Sequence, residues 1–402
     1  MNNNPIFEFS KIHTDGDSSL TDLLGGKGAN LAEMSRMGIQ VPPGFTITTE
    51  VCNYFMEHGE LPDSLEKDIK RSVQKLEEYS GKQFGGDGTP LLLSVRSGGK
   101  ISMPGMMDSI LNIGLNDDNV GKLADTFDDE RFALDSYRRL IQMYSNVVLG
   151  LEHDRFEAVI ANKKRMDNVV SDGDFNVDQL NWIIDAFKNT VERFSKAPFP
   201  QDPQEQLLGA VEAVFASWLN DRAVTYRKIN NIPDAWGTGA TVQTMVFGNL
   251  NEKSGTGVAF SRNPSNGEKE LYGEYLMNAQ GEDVVAGIRT PLPLNKKVGT
   301  DGNSLEANHP NAFKEIKDIS DKLETHFKDV QDIEFTIENE KIFLLQTRKA
   351  KRTAQASVKI AIDMVNEGVI SKEEGLLMVD ANNINNLLHP QFVESQEKKF
   401  FN

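Results

Sequence analysis

Four short runs hold the residues best suited to chemistry. The first is Leu24-Gly25-Gly26-Lys27-Gly28-Ala29-Asn30-Leu31. Paired glycines let a backbone approach a phosphate, and a lysine between them can neutralise it. The run is not a P-loop, because Thr21 stands where the first Gly is needed and Gly28 replaces the Ser/Thr after Lys. It also fails the dinucleotide pattern, with Leu31 at the last Gly position. A solvated turn lysine ahead of a helix fits the same residues. The second run is Ser94-Val95-Arg96-Ser97-Gly98-Gly99-Lys100, continuing Ile101-Ser102-Met103-Pro104-Gly105-Met106-Met107-Asp108. A strand that delivers Arg96 into a Ser/Gly loop suits a guanidinium fork aimed at phosphate oxygens. An ion pair at a strand end is the plainer alternative. The Met103 to Asp108 stretch is too Gly/Pro-rich for a helix and reads as a lid or docking loop.

The third run, Asp332 to Arg348, reads as a β-hairpin with Ile333, Phe335 and Ile337 towards a core and Asp332, Glu334 and Thr336 on the other face. A three-residue loop, Glu338 to Glu340, places Glu334 opposite Leu344 and Asp332 opposite Gln346, so that Glu334, Gln346 and Arg348 share a face. A two-residue loop puts Gln346 on the wrong side, so register decides. Carboxylate and amide oxygens are suitable hard ligands for Mg²⁺, which also binds phosphate oxygens, and Arg348 can hold a phosphate itself. Spacing alone slightly favours a solvated polar face instead. The fourth run, Asn278 to Thr290, has Gly281 followed by Glu282-Asp283-Val284-Val285, a loop entering a structured segment with no legible chemistry. His13, His58, His153, His309, His326 and His389 sit in no triad or metal-ligand pattern and read as surface or structural residues. There is no G-x-S-x-G or H-E-x-x-H motif.

Several elements must position these runs. Leu91 to Val95 is a short buried-strand pattern entering the Arg96 loop. A helix starts near Thr48 or Thr49. From about Asn116 to Ser195 the pattern is helical, with Tyr137, Leu140, Ile141, Tyr144, Val147 and Val148 on one face. The Ala197 to Pro203 segment precedes a helix ending near Ile229. Strand-like runs follow at Val242–Phe247, Gly257–Ser261 and Leu271–Tyr275. Val358, Ile362 and Val365 share a helical face, Gly368 stands at a C-cap position, and Ser371 with Glu374 has capping-box spacing.

The chain has 402 residues, with 60 acidic against 43 basic and a formal net charge of −17. At ~100–200 residues per domain, two to four domains or subdomains are expected. Hydrophobic residues at 39% and charged ones at 26% describe a globular chain, not a disordered one. The acidic balance excludes a broad nucleic-acid face, but not a small anionic ligand in one cleft. A single cysteine, Cys52, excludes a disulfide framework and reads as a buried helical thiol. No secretory signal is visible and no stretch approaches ~18 consecutive apolar residues, so a soluble, cytoplasmic protein is expected.

In this order the runs resemble the N-terminal nucleotide-binding part of the pyruvate, phosphate dikinase family. The likeness is carried by Gly25 to Met34, Val41-Pro42-Pro43-Gly44-Phe45, Ser94 to Asp108, Asp135-Ser136-Tyr137-Arg138-Arg139, Phe247-Gly248-Asn249 through Ser254 to Phe260, Asn278 to Thr290, and the hairpin ending Leu345-Gln346-Thr347-Arg348. It spans nearly the whole chain, and Ser102 to Asp108 points to the phosphate-using branch and away from the water dikinases.

The resemblance implies an α+β, ATP-grasp type fold in which two subdomains grip ATP, with an inserted helical subdomain. It divides the chain into 1–111 and 197–241 (first subdomain), 112–196 (helical), 242–350 (second subdomain with the hairpin) and 351–402 (helical linker). It implies that Lys27, Arg96 and Arg348 contact the ATP phosphates, that Glu334 and Gln346 hold Mg²⁺ with Asp332 in support, and that Gln243 to Val246, including Met245, line the adenine pocket. The family reaction converts ATP, phosphate and pyruvate into AMP, pyrophosphate and phosphoenolpyruvate through a phosphohistidine on a separate domain, with pyruvate bound on another. The whole enzyme is expected as a possible homodimer. No histidine here has the family's phosphohistidine neighbourhood, so both domains are expected beyond Asn402 or in another chain. Gly99-Lys100 stands where the family more often has Ala-Arg, and Glu340 replaces a hairpin Gly, which predicts a non-Gly residue at positive φ. A water dikinase part and a non-catalytic ATP-sensing or partner-binding grasp protein are the alternatives.

Overall fold

The computed structural model of the chain describes residues 4–285, 289–296 and 302–381. Ala286, Gly287 and Ile288 of the fourth run, His389, and the linker beyond 381 lie outside them. The elements run β1 (Ile6–Phe9), α1 (Thr21–Arg36), β2 (Gly44–Ile47), α2 (Thr49–His58), α3 (Leu65–Ser80), β3 (Leu93–Gly99), β4 (Ser109–Ile113), α4 (Val120–Phe127), α5 (Glu130–Val147), α6 (His153–Asp167), α7 (Val177–Ser195), α8 (Pro203–Ala216) and α9 (Asp221–Ile229). They continue with β5 (Thr238–Thr244), β6 (Gly255–Phe260), β7 (Tyr272–Met277), α10 (Gly281–Val285), β8 (Leu292–Pro293), α11 (Leu305–Asn308), α12 (Pro310–Phe327), β9 (Gln331–Glu338), β10 (Lys341–Lys349), α13 (Ala354–Asn366) and α14 (Lys372–Met378). Helices and antiparallel sheets together make the α+β class expected from the sequence.

The chain divides into two compact units. The first comprises Met1–Gly255, Met277–Gly281 and Thr336–Thr347. Its sheet has the order β1-β2-β5-β3-β4, with β5 antiparallel to both β2 and β3. The expected boundary at 241/242 therefore cuts through β5, the middle strand of this sheet. Strand β3 does not end at Arg96 but continues through Gly99, pairing Arg96 with Thr241 and Gly98 with Gly239. Backbone pairing to β5 satisfies the N–H and C=O groups of residues that composition assigns to a loop.

Local chemistry sets the helix limits here. Asp129 accepts from the Phe132 backbone N–H at the start of α5, and Asn176 and Gln179 form a reciprocal capping box on α7. Tyr137, Leu140, Ile141 and Tyr144 face inward as their spacing predicts. One continuous core runs from Phe45 and Ile47 of the sheet to Phe132, Tyr144, Phe187 and Phe215 of the helices. The helices of the expected 112–196 subdomain and the sheet thus draw on one core, and Phe127, Phe132 and Phe247 meet edge to face, centroids 5.1–5.8 Å apart.

The second unit comprises Thr256–Leu276, Glu282–Phe335 and Arg348–Asn402. Val330, Ala350, Ala356, Ile360, Met364 and Ile370 form its core. Helix α13 buries the stripe Ala356–Ile360–Met364, and not the neighbouring one: Ile362, expected to share a face with Val358 and Val365, is 55% exposed. Both stripes satisfy the same helical period, so spacing alone does not separate them. Gly368 follows α13 at φ 73 and Ser371/Glu374 cap α14 reciprocally, as predicted. Arg262 is fully buried between Glu324 and Glu367. The second sheet has the order β10-β9-β6-β7-β8.

Candidate functional site

In the first unit the glycines of the first two runs determine where Lys27 and Arg96 sit. Helix α1 is interrupted at Gly25, which has φ 67 and ψ 166. A Cβ at Gly25 would lie 1.7 Å from the Gly98 carbonyl oxygen, and one at Gly98 would lie 3.0 Å from the Lys27 Cβ. Gly25 and Gly98 are therefore small because the start of α1 passes against the backbone of β3. Packing of backbone on backbone is a sufficient reason for both glycines. Gly239 serves the same approach, since a Cβ there would meet the Leu24 carbonyl oxygen at 2.7 Å. The result is a half-buried Lys27 directly beside the strand that bears the half-buried Arg96.

The first-unit part of the hairpin joins them. Arg96 Nη1 donates to the Leu345 carbonyl at 3.4 Å, Asn30 Nδ2 donates to the Thr347 carbonyl at 2.8 Å, and the Leu344 N–H donates to the Gln40 carbonyl at 2.9 Å. Gln346 lies between two of these anchors and is buried, in phase with Ile342 and Leu344. The hairpin turn has two residues, Asn339 and Glu340, at φ 48 and 67, not the three-residue loop that would have set Asp332 opposite Gln346 and put Gln346 on the face of Glu334. The positive φ predicted for Glu340 is present. It is over-determined locally: the Glu340 N–H donates to the Lys253 carbonyl, the Asn339 N–H to Ser254 Oγ, and Asn251 Nδ2 to Asn339 Oδ1 at 2.6 Å. Gln243 is buried on β5, where its amide donates to the Pro42 carbonyl at 2.9 Å. Met245 and Val246 just past the strand are half-buried.

The second unit holds the other hairpin residues. Arg348 Nε donates to Asp332 Oδ2 at 2.8 Å, and Asp332 is 7% exposed. Burial pushes the Asp332 carboxyl above its ordinary value, the Arg348 guanidinium pulls against this, and the Glu334 charge adds to the rise. Asp332 Oδ1 is buried without a hydrogen-bond partner among the described residues. An orphaned carboxylate oxygen, held against a second carboxylate, fits a hard divalent cation of the Mg²⁺ type.

Among the described residues one further group brings possible ligand atoms together, Glu8, His13 and Asp15, within 4.8 Å of one another. The histidine pattern gave no sign of it, because Glu8 is in β1 and the other two follow it in a turn. Lys75 already supplies a cation there, 2.8 Å from Glu8 Oε1, and His13 pairs with Asp15. His58, His153 and His326 are exposed and His309 half-buried. No helix is long and apolar enough to cross a membrane among the described residues.

Comparison with known proteins gives the family. The family model described as pyruvate phosphate dikinase, AMP/ATP-binding domain, matches residues 21–83, 56–300 and 294–369. The chain belongs to that family. Within the pyruvate phosphate dikinase family it is 50% identical over 390 residues to the pyruvate, phosphate dikinase of Rhizobium meliloti, covering 96% of this chain and 43% of the relative. It is 50% identical over 380 residues to that of Clostridium symbiosum, covering 94% and 43%. A chloroplastic pyruvate, phosphate dikinase of Oryza sativa is 47% identical over 388 residues, covering 96% and 40%. The chain thus spans less than half the length of these relatives. Sequence reasoning missed Asn30 as the group that ties α1 to the hairpin. It also missed the seat of the Lys100 to Asp108 loop, whose partners near Trp218 and Arg222 lie over 100 residues away with no motif of their own.

Proposed function

We propose that this chain is the ATP- and Mg²⁺-binding part of a pyruvate, phosphate dikinase, built as an ATP-grasp fold. The observation that carries the reading is the family match, which covers every candidate run, joined to the setting of Lys27 against Gly98 of the strand that bears Arg96. In this reading Lys27, Arg96 and Arg348 neutralise the triphosphate, and Gln243, Met245 and Val246 border the adenine. Glu334 holds Mg²⁺, with Asp332 in support, whereas Gln346, which the two-residue turn sets in phase with the buried Ile342 and Leu344, leaves the ligand set. When bound, Mg²⁺ supplies charge neutralisation on the phosphate oxygens. Phosphoryl transfer needs little covalent chemistry from the protein, so positioning and fixed positive charge are the main contributions.

The β-phosphoryl group of ATP then passes to a histidine on a phosphohistidine domain, phosphate receives the γ-phosphoryl as pyrophosphate, and AMP is left. Pyruvate on a further domain becomes phosphoenolpyruvate. Both domains act in the same whole enzyme, in cis or in trans, and a homodimer is its proposed assembly. The test supplies a separate phosphohistidine domain with ATP radiolabelled at the β-phosphate. Label on the histidine, lost in Arg96→Ala, is the expected result. An unlabelled histidine would overturn the catalytic reading and leave an ATP-sensing grasp protein.

A further inference from the structure

The loop from Lys100 to Asp108, whose Met103 to Asp108 stretch reads from sequence as a lid or docking loop, is tied down at both ends and in its middle. At the near end, the Lys100 ammonium lies 4.7 Å over the Trp236 ring and pairs with Asp22, five residues ahead of Lys27. In the middle, the buried Met103 packs in a small core with Trp218 and Ile232, against which Met106 and Met107 also pack. At the far end, Arg222 Nε donates to the Met106 carbonyl at 3.1 Å and its Nη2 pairs with Asp108, whose other oxygen accepts from Asn220 Nδ2 at 2.9 Å. The seat itself is fixed. Trp218 is 1% exposed, its indole N–H donates to the Asp234 carbonyl, and Arg227 lies 4.1 Å from its ring while bonding its carbonyl. A methionine-rich contact of this kind adapts its shape, so the polar clamp has to define the loop's position.

We infer that Arg222, assisted by Asn220, is a positioning residue that seats the Lys100–Asp108 loop and thereby holds Arg96 in place for the nucleotide phosphates. The inference rests on the ATP-binding reading above. Arg222 touches no candidate ligand-binding residue, and its side chain is 51% exposed, so its removal leaves the core intact. Its effect must travel through the loop, and it should be felt by phosphates and not by the base.

The test compares wild type, Arg222→Ala and Arg222→Lys by amide hydrogen exchange of residues 100–108 and by calorimetric titration with ATP and with AMP. In Arg222→Ala, exchange in the loop accelerates and ATP affinity falls roughly tenfold, well within what a displacement of about 1 Å can cost. AMP affinity and the unfolding midpoint stay at their wild-type values, and Arg222→Lys, which keeps the charge facing Asp108, recovers part of the loss. Unchanged exchange overturns the seating. ATP affinity retained despite faster exchange, or ATP and AMP weakened in parallel, overturns the positioning role. Failure of the wild type to bind ATP refutes the parent reading, and the exchange data then still decide the seating.

Discussion

Substituting Gly25 by alanine tests whether backbone contact, and not flexibility, is why the first glycine run exists. Gly25 and Gly38 have nearly the same positive φ, 67 and 72, but different surroundings. A Cβ at Gly25 would sit 1.7 Å from the Gly98 carbonyl oxygen, whereas one at Gly38 meets nothing within 4 Å. The positive φ costs an alanine about 1–2 kcal/mol at Gly38, and about 1–3 kcal/mol at Gly25, whose ψ of 166 lies in a region all but reserved for glycine. At Gly25 the overlap must also be relieved by moving α1 away from β3, and overpacking of this kind costs about 1–3 kcal/mol. Together these give about 2–6 kcal/mol for Gly25→Ala against about 1–2 kcal/mol for Gly38→Ala. Trp182, Trp218 and Trp236, the three tryptophans of the chain, all belong to the first unit, so urea unfolding followed by their fluorescence reads this unit. Gly25→Ala should unfold at clearly lower urea and, by shifting Lys27, lose ATP affinity; Gly38→Ala should keep it. Equal midpoints and equal ATP affinity for the two variants would refute the close-approach argument.

Three further outcomes follow from the same contacts. Asp332 has a raised carboxyl pKa, so its proton competes with a cation; Mg²⁺ should raise the unfolding temperature less as pH falls towards its titration, above the ordinary value of 3.8, and the dependence should vanish in Asp332→Asn. Without metal the sign reverses, because a raised folded-state pKa favours the protonated folded form as pH falls. Burial opposes ionisation of Asp135, but Arg138 and Arg139 outweigh it and hold the carboxyl far below its usual range. Its contribution is therefore complete above about pH 4 and lost on acidification below that, and Asp135→Asn, which strands the buried Arg138, should cost about 3–5 kcal/mol in chemical denaturation. Cys52 is buried, its thiol pushed up to about 12 by desolvation, so the native protein should resist thiol reagents that label it fully in urea.

Patterns that repeat locally were legible in the sequence, and those set by distant backbone were not. The helix start at Thr49, the capping box of Ser371 and Glu374, the inward face of α5 and the positive φ at Glu340 each follow from residue type and short spacing. The extension of β3 to Gly99 is supplied by β5, about 140 residues away, and no local signal marks it. The hairpin residues were visible as candidates, yet the two-residue turn depends on Lys253, Ser254 and Asn251 holding Asn339 and Glu340. Lys27 and Arg96 were chosen for their charge, but their proximity depends on three glycines whose shared role appears only when α1, β3 and β5 are assembled.

The central claim is that Lys27, Arg96 and the Asp332–Glu334–Arg348 group serve Mg²⁺-dependent ATP binding. Calorimetric titration with ATP, with and without Mg²⁺, on wild type, Arg96→Ala and Glu334→Ala tests it most directly. The account predicts Mg²⁺-dependent binding by the wild type, weakened at least tenfold, about 1.4 kcal/mol, in each variant. ATP bound by both variants as tightly as by the wild type would contradict it.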